Sequence, residues 1–388
     1  MELTGITTEE SVLDEIGKDL DDRIEKLTSS IFEIAGEEFN INSPKQLGEI
    51  LFDKLRLPVI KKMKTGYSTA QDVLEKLIDE SPIIENILEY RKLTKLKNTY
   101  IDGLKALINE KTGRIHSRFN QTGTSTGRIS STEPNLQNIP IRSEEGRLIR
   151  GAFLASEGST LVDCDYSQIE LRVLASLSKD PRMMEAFEHG MDIHTKTASE
   201  VFHVEKENVT PLLRSRAKAV NFGIVYGISD FGLSRQLGIT RELAKEYIDG
   251  YFDNFKKVKE YMDYEIKTGK KQGYVKTIFN RRRYIPELSA KNFNIRSFGE
   301  RIALNTPIQG SAADIIKIAM VKVYEEIKKR NLKSKLILTI HDELVVDAVN
   351  DELEVVEEMM KEIMESAVKL NVPLKVSLDT GKSMYETM

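Results

Sequence analysis

Two β-rich runs, Lys335–Ile340 and Leu344–Val349, flank the tripeptide His341-Asp342-Glu343. That layout is an antiparallel hairpin with a carboxylate at its tip. A third run, Thr160–Tyr166, is followed at once by a helical pattern over Gln168–Leu177. Asp165 therefore falls at the end of a strand, just before a helix begins. Around these strands the 3.6-residue period dominates, over Glu9–Ala35, Lys45–Leu55, Ala70–Asp79, Ile83–Leu107, most of 190–290 and Gly310–Arg330. Few strands among many helices make this an α+β chain. Gly36 and Pro82 punctuate the first helices, and Asn42-Ser43-Pro44 reads as a cap before Lys45. The stretch from Gly113 to Phe153 is polar and aperiodic, which inside a compact enzyme marks a functional or a disordered segment.

Two carboxylates at such edges, if brought together, form a hard oxygen site suited to Mg²⁺, which takes few carboxylates and completes its shell with water and phosphate. A pair of such ions would serve both ends of an in-line displacement. Strand-end carboxylates are also common as plain turn or cap residues, and spacing alone leaves that alternative open. Asp163 shares a strand face with Asp165 and could be a third ligand, although a structural or supporting role fits it better; Glu343 would point away from Asp342 in a regular strand and reads as supporting.

A third feature lies between the carboxylates. Thr210-Pro211 has the chemistry of a helix start, with Thr as cap and Pro in the first turn. Arg214, Lys218, Phe222 and Tyr226 follow at steps of four. Each step drifts by only about 40° around a helix, so the four share one face. Cations could neutralise phosphates there, and aromatics could stack on bases. Equally, the aromatics could be core and the cations solvated. Gly223 and Gly227 cost helix propensity and suggest close packing or function.

The net charge of −4 over 388 residues is not the footprint of a nucleic-acid binder. Acidic residues, however, crowd Asp351–Ser366, whereas basic runs collect at 61–64, 91–97, 214–218 and 281–283. No segment is long and apolar enough to span a bilayer. The N-terminus lacks a signal pattern, and Cys164 is the only cysteine. A reducing compartment, the cytoplasm, is the expectation.

Taken together, these pieces resemble family A DNA polymerases. The string Asp165-Tyr166-Ser167-Gln168-Ile169-Glu170-Leu171-Arg172 resembles that family's first motif, Arg214 to Gly227 its second, and His341-Asp342-Glu343 its third. The likeness continues through Thr126-Gly127-Arg128, Asn135 to Pro140, Asp192 to Thr195, Arg281 to Tyr284 and Gln309 to Asp314, in family order across nearly the whole chain.

The resemblance implies a right-hand fold with a helical thumb (1–105), an antiparallel-sheet palm (106–178 and 293–388) and helical fingers (179–292). It implies primer-template DNA and deoxynucleoside triphosphates as partners of a monomer in the bacterial cytoplasm or nucleoid. Asp165, Asp342 and the Tyr166 carbonyl would bind two Mg²⁺ ions, with Mn²⁺ able to substitute. Arg214, Lys218 and His194 would hold the triphosphate, and Lys218 would protonate pyrophosphate. Gln168 would lie beside the nucleotide, Phe222 would pack on it, and Tyr226 would hold the template-base position until closure. Glu170 would exclude a ribose 2′-hydroxyl. Arg128, Gln137, Asn138, Arg301, Asn305, Gln309 and His341 would contact the duplex, several through minor-groove acceptors shared by all base pairs.

Departures are few. Asn280 replaces the usual Gly before the arginine triplet, and Asn tolerates a left-handed backbone. Met384 replaces a common Trp. Nothing in these residues resembles the proofreading or 5′-nuclease domains that commonly precede such a core. Three other readings stand beside a DNA polymerase: a single-subunit RNA polymerase, a DNA-binding remnant and a metal-dependent nuclease. Glu170 and Phe222 argue for deoxynucleotides against the first. The full catalytic set argues against the second, and the cation row, idle in a nuclease, against the third.

Overall fold

The structure is a computed structural model that describes residues 1–388 except Thr65 and Arg142. Its centre is a four-stranded antiparallel sheet. In chain order the strands are β1 (Ser159–Tyr166), β2 (Lys335–Ile340), β3 (Glu343–Val349) and β4 (Val376–Gly381), and in space they run β2-β3-β1-β4. The period of two divides this sheet cleanly. Val162, Cys164 and Tyr166 of β1 pack with Leu344, Val346 and Ala348 of β3 into the largest core cluster. The odd-numbered residues face the other way. Leu161 and Val345 join a second cluster with Leu13 and Leu20, while Asp163, Asp165 and Glu343 line up toward the strand end. A bulge between Leu336 and Leu338 lets β2 serve both sides, since Leu336 lies in the first cluster and Leu338 in the second.

The helices of eight residues or more are α1 (Glu10–Ala35), α2 (Pro82–Leu96), α3 (Ile169–Ser178), α4 (Pro181–Glu188), α5 (Ile193–Phe202), α6 (Pro211–Val225), α7 (Asp230–Leu237), α8 (Arg241–Asn254), α9 (Lys256–Gln272), α10 (Phe293–Lys329) and α11 (Leu353–Glu365). The first two run against each other, and their outer halves share an apolar cluster of their own with Leu47, Leu51, Leu74 and Leu77. The α+β reading is borne out. Ser43 is the cap read from sequence, its side chain accepting from the Gln46 N–H. Asn280 adopts φ 63°, so the turn survives without glycine. Met384 is 1% exposed, a buried packing residue.

Two segments differ from expectation. The polar stretch 113–153 holds short strands and the helix Glu144–Arg150, elements too brief for periodicity to reveal. The helix expected from Gly310 begins instead at Phe293 and carries Pro307 inside it. Proline normally ends a helix. Here the flanking turns are buried, and Arg283 reaches the Thr306 hydroxyl at 3.0 Å, so packing overrides the local preference.

Gly299, in the first third of α10, is a direct test of that packing. A Cβ there would lie 2.8 Å from the Leu288 nitrogen and 2.9 Å from the Glu287 carbonyl carbon. Helix propensity alone would favour Gly299→Ala by about 1 kcal/mol. Overpacking against backbone costs about 1–3 kcal/mol and should win. Chemical denaturation is expected to show a lowered midpoint, and a raised midpoint would show that the 286–289 turn gives way freely.

Candidate active site

The hairpin tip places the first carboxylate. Ile340 pairs with Glu343, so His341 and Asp342 alone make the connection, and so tight a turn needs a left-handed residue. His341 supplies it at φ 52°. The Asp342 carbonyl accepts the Tyr166 N–H at 3.3 Å, which ties the tip to the end of β1. Asp165 stands opposite Glu343 in the register. Gln168, at φ 54°, turns the chain from β1 into α3 and delivers Glu170 two residues later, in the first turn of the helix.

Helix α6 supplies the opposite wall. Thr210 caps it by accepting from the Leu213 N–H, and Pro211 sits in its first turn, as read from sequence. Arg214, Lys218, Phe222 and Tyr226 then face one cleft of about 330 Å³ with Arg128, Asp165, Tyr166, Gln168, Ile169, Glu170, His194 and Asp342. Residues from five separate stretches of chain converge there. Ile169 is the one lining residue to which the sequence assigns no role of its own.

Electrostatics separate the cleft into two ends. At the sheet end, burial pushes the Asp165 carboxyl up to about 7, and the charges of Glu343 and Asp342 add to it. Asp342 is also raised, chiefly by burial, although Arg128 and His341 oppose the shift. Arg128 does not pair with either aspartate. Its guanidinium binds Glu170 at 2.7 Å instead. Behind them Asp163 Oδ1 and Glu343 Oε2 are buried without a hydrogen-bond partner. This end therefore crowds hard oxygen donors that Arg150 and Arg128 offset only in part, since every one of these carboxyls is still pushed up, the setting that a divalent cation relieves. Among the described residues no three acidic, His or Cys side chains form a metal cluster by themselves.

The other end is basic. Arg214 is held by Asp192 at 2.7 and 3.2 Å, and Asp192 also caps α5 by accepting from His194 and Thr195. Burial alone would raise the Asp192 carboxyl, but the bonds from Arg214 and Thr195 hold it well below the usual carboxylate range. Asp192 appeared in the sequence only as part of a motif, because its partner lies 22 residues away on another helix. Between the two ends, Glu170 is 4% exposed and both its oxygens are engaged, by Arg128 and by the Tyr226 hydroxyl at 3.1 Å. Gln309 approaches both Glu170 and Tyr226.

Of the residues expected on the duplex, Arg128 lines the cleft itself and the other six fall into two groups. Gln137, Asn138 and His341 line an adjoining groove of about 1220 Å³, bounded across from them by Arg91, Lys92 and Lys95 of α2. Gln137 is fixed there by donating to the Thr339 carbonyl at 3.1 Å. Arg301, Asn305 and Gln309 line neither cavity. They occupy one face of α10 at steps of four, beside Gly227, where a Cβ would meet the Arg301 side chain at 3.2 Å. The Asn305 amide nitrogen is buried and unpartnered.

Comparison with known proteins gives one consistent answer. Residues 10–386 match the family model for DNA polymerase family A. The whole chain is 56% identical over 387 residues to DNA polymerase I of Bacillus subtilis (strain 168), and 54% identical over 387 residues to that of Geobacillus stearothermophilus. In each case it spans 44% of the relative's length. Its fold matches the POL domain of Pol1 from M. smegmatis, solved in complex with DNA primer-template and dNTP. That match has a TM-score of 0.93 at 44% identity and covers 99% of this chain and 68% of that one. The right-hand polymerase fold is thereby shown.

Proposed function

We propose, since this chain belongs to DNA polymerase family A, that it adds deoxynucleotides to a primer 3′ end as a template directs, releasing pyrophosphate. The observation that carries this reading is the single cleft in which Asp165 and Asp342 face Arg214, Lys218 and His194 across Glu170. The thumb, palm and fingers divide at about residues 105, 178 and 292. A monomer of the bacterial cytoplasm or nucleoid fits this reading, and among the described residues no helix is long and apolar enough to cross a membrane.

The residues divide the work by charge. Asp165, Asp342 and the Tyr166 carbonyl would hold two Mg²⁺ ions, or Mn²⁺ in their place. Such ions, when bound, activate the primer hydroxyl and stabilise charge on the leaving group. Arg214, Lys218 and His194 orient the triphosphate, so that the primer oxygen attacks the α-phosphorus in line with the bond that breaks. Lys218 gives a proton to the departing pyrophosphate. Phe222 packs on the nucleotide, with Gln168 beside it. Tyr226 occupies the template-base position while bonded to Glu170 and leaves it on closure. Gln137, Asn138 and His341 hold the duplex in the groove below α2, with Arg128, Arg301, Asn305 and Gln309 nearer the growing pair.

The test is extension of a primed DNA template by the purified chain with Mg²⁺ and four deoxynucleotides. Chelation of the metal should stop extension, and added Mg²⁺ or Mn²⁺ should restore it. Extension that persists in excess chelator would rule out the metal role of the two aspartates.

A further inference from the structure

One donor facing the triphosphate end of the cleft can carry its proton on either of two nitrogens. His194 is 3% exposed, and its Nδ1 lies 3.0 Å from the amide nitrogen of Asn221. Asn221 is fully buried on α6, and its amide oxygen accepts the hydroxyl of the equally buried Thr197 at 3.1 Å. An amide –NH₂ only donates. As the amide is placed, its oxygen faces Thr197 and its hydrogens face Nδ1, which is then the lone-pair nitrogen. The proton of a neutral ring then sits on Nε2. That is the edge left for the cleft, which His194 lines with Arg214 and Lys218.

We propose that Asn221, oriented by Thr197, is a positioning residue that holds His194 as a neutral Nε2–H donor toward the nucleotide triphosphate. This rests on the reading of the cleft as a triphosphate site. Phosphate oxygens are acceptors only, so the other tautomer would set a lone pair against a lone pair. Burial drives the ring to a pKa of about 4; the charge of Asp192 opposes that shift, and Arg214 and Lys218 reinforce it. The Phe222 ring covers it at a centroid distance of 5.8 Å. A ring that stays neutral has one proton to offer, and the Thr197–Asn221 chain decides where it points.

Long-range ¹H–¹⁵N spectra of the imidazoles in the whole chain read this directly. The sequence has only five histidines, and His194→Gln identifies the signal by its loss. The expected result is a neutral Nε2–H ring at pH 7. A proton on Nδ1, or a cationic ring, would overturn the proposal without reference to activity.

A kinetic arm separates positioning from simple packing. In Asn221→Asp the new carboxylate cannot donate, so Nδ1 must carry the proton. At pH 8 the nucleotide KM should rise about tenfold with little change in kcat, the scale of one hydrogen bond to a charged group. At pH 6 the ring, now beside a carboxylate, should protonate and donate from both nitrogens, and KM should return toward the wild-type value. An Nε2–H ring in the wild type with an unmoved KM in Asn221→Asp would contradict the reading of His194 as a triphosphate contact, and the proposal with it.

Discussion

The Asp342→Ala variant is expected to lose primer extension, with kcat lower by about a thousandfold or more, because under the proposed metal role it removes half of the carboxylate pair that would organise charge in the transition state. Its duplex affinity should stay within about threefold, since phosphate contacts elsewhere carry most of such binding. The fold should survive. Asp342 sits in a two-residue turn, and its side chain is no part of either core cluster beside the sheet. Its charge also helps to push the Asp165 carboxyl upward, so deletion relieves a repulsion. Thermal unfolding should therefore show a midpoint equal to or above that of the parent chain. Extension at the parent rate would sink the metal assignment, and a collapsed midpoint would show that Asp342 is a structural turn residue instead.

The second large effect is expected at Glu170. A side chain can exclude one hydroxyl only if it cannot swing aside. Both Glu170 oxygens are tethered, one by Arg128 and one by Tyr226, and the residue is nearly without exposed surface. Glu170→Ala should thus open the space beside the sugar. The preference for deoxy- over ribonucleotides, measured as a ratio of kcat/KM values, should fall by about a hundredfold, the scale of a clash removed from a rigid site. The same change frees Arg128 and Tyr226, so kcat with deoxynucleotides should also fall, by a smaller factor. An unchanged sugar preference would remove the gate role and leave Glu170 as a tether for its two partners.

Only the local parts of this molecule can be read from its residues alone. The hairpin and its acidic tip are legible because two β-rich runs around a short polar link are local features, although the turn is one residue tighter than the tripeptide expected. So are the capped helix starting at Thr210-Pro211 and the stepped face from Arg214 to Tyr226. What they meant was not local. Spacing left strand-end aspartates and an aromatic row open to ordinary structural readings, and family resemblance supplied the choice. The structure supports that choice by bringing 11 of the residues so named into one cleft.

The long-range pairings were beyond local reading. Asp192 meets Arg214 and Asn221 meets His194 only when α5 lies against α6. Arg150 is buried, with two guanidinium nitrogens unpartnered, on a helix too short to announce itself, and it feels Glu343 and Asp163 beneath the carboxylate pair. The early start of α10 was hidden for a different reason. Pro307 is a true local signal for a break, and only burial of the surrounding turns overrides it.

If this cleft is a polymerase site, the template chooses the nucleotide within it. The most direct measurement is single-nucleotide incorporation on four primed DNA templates that differ only in the templating base, with each deoxynucleotide offered alone and pyrophosphate release followed. The account predicts that each template accepts its complementary nucleotide at least about a hundredfold more efficiently than the others. Incorporation indifferent to the templating base, or none despite a bound duplex, would contradict it.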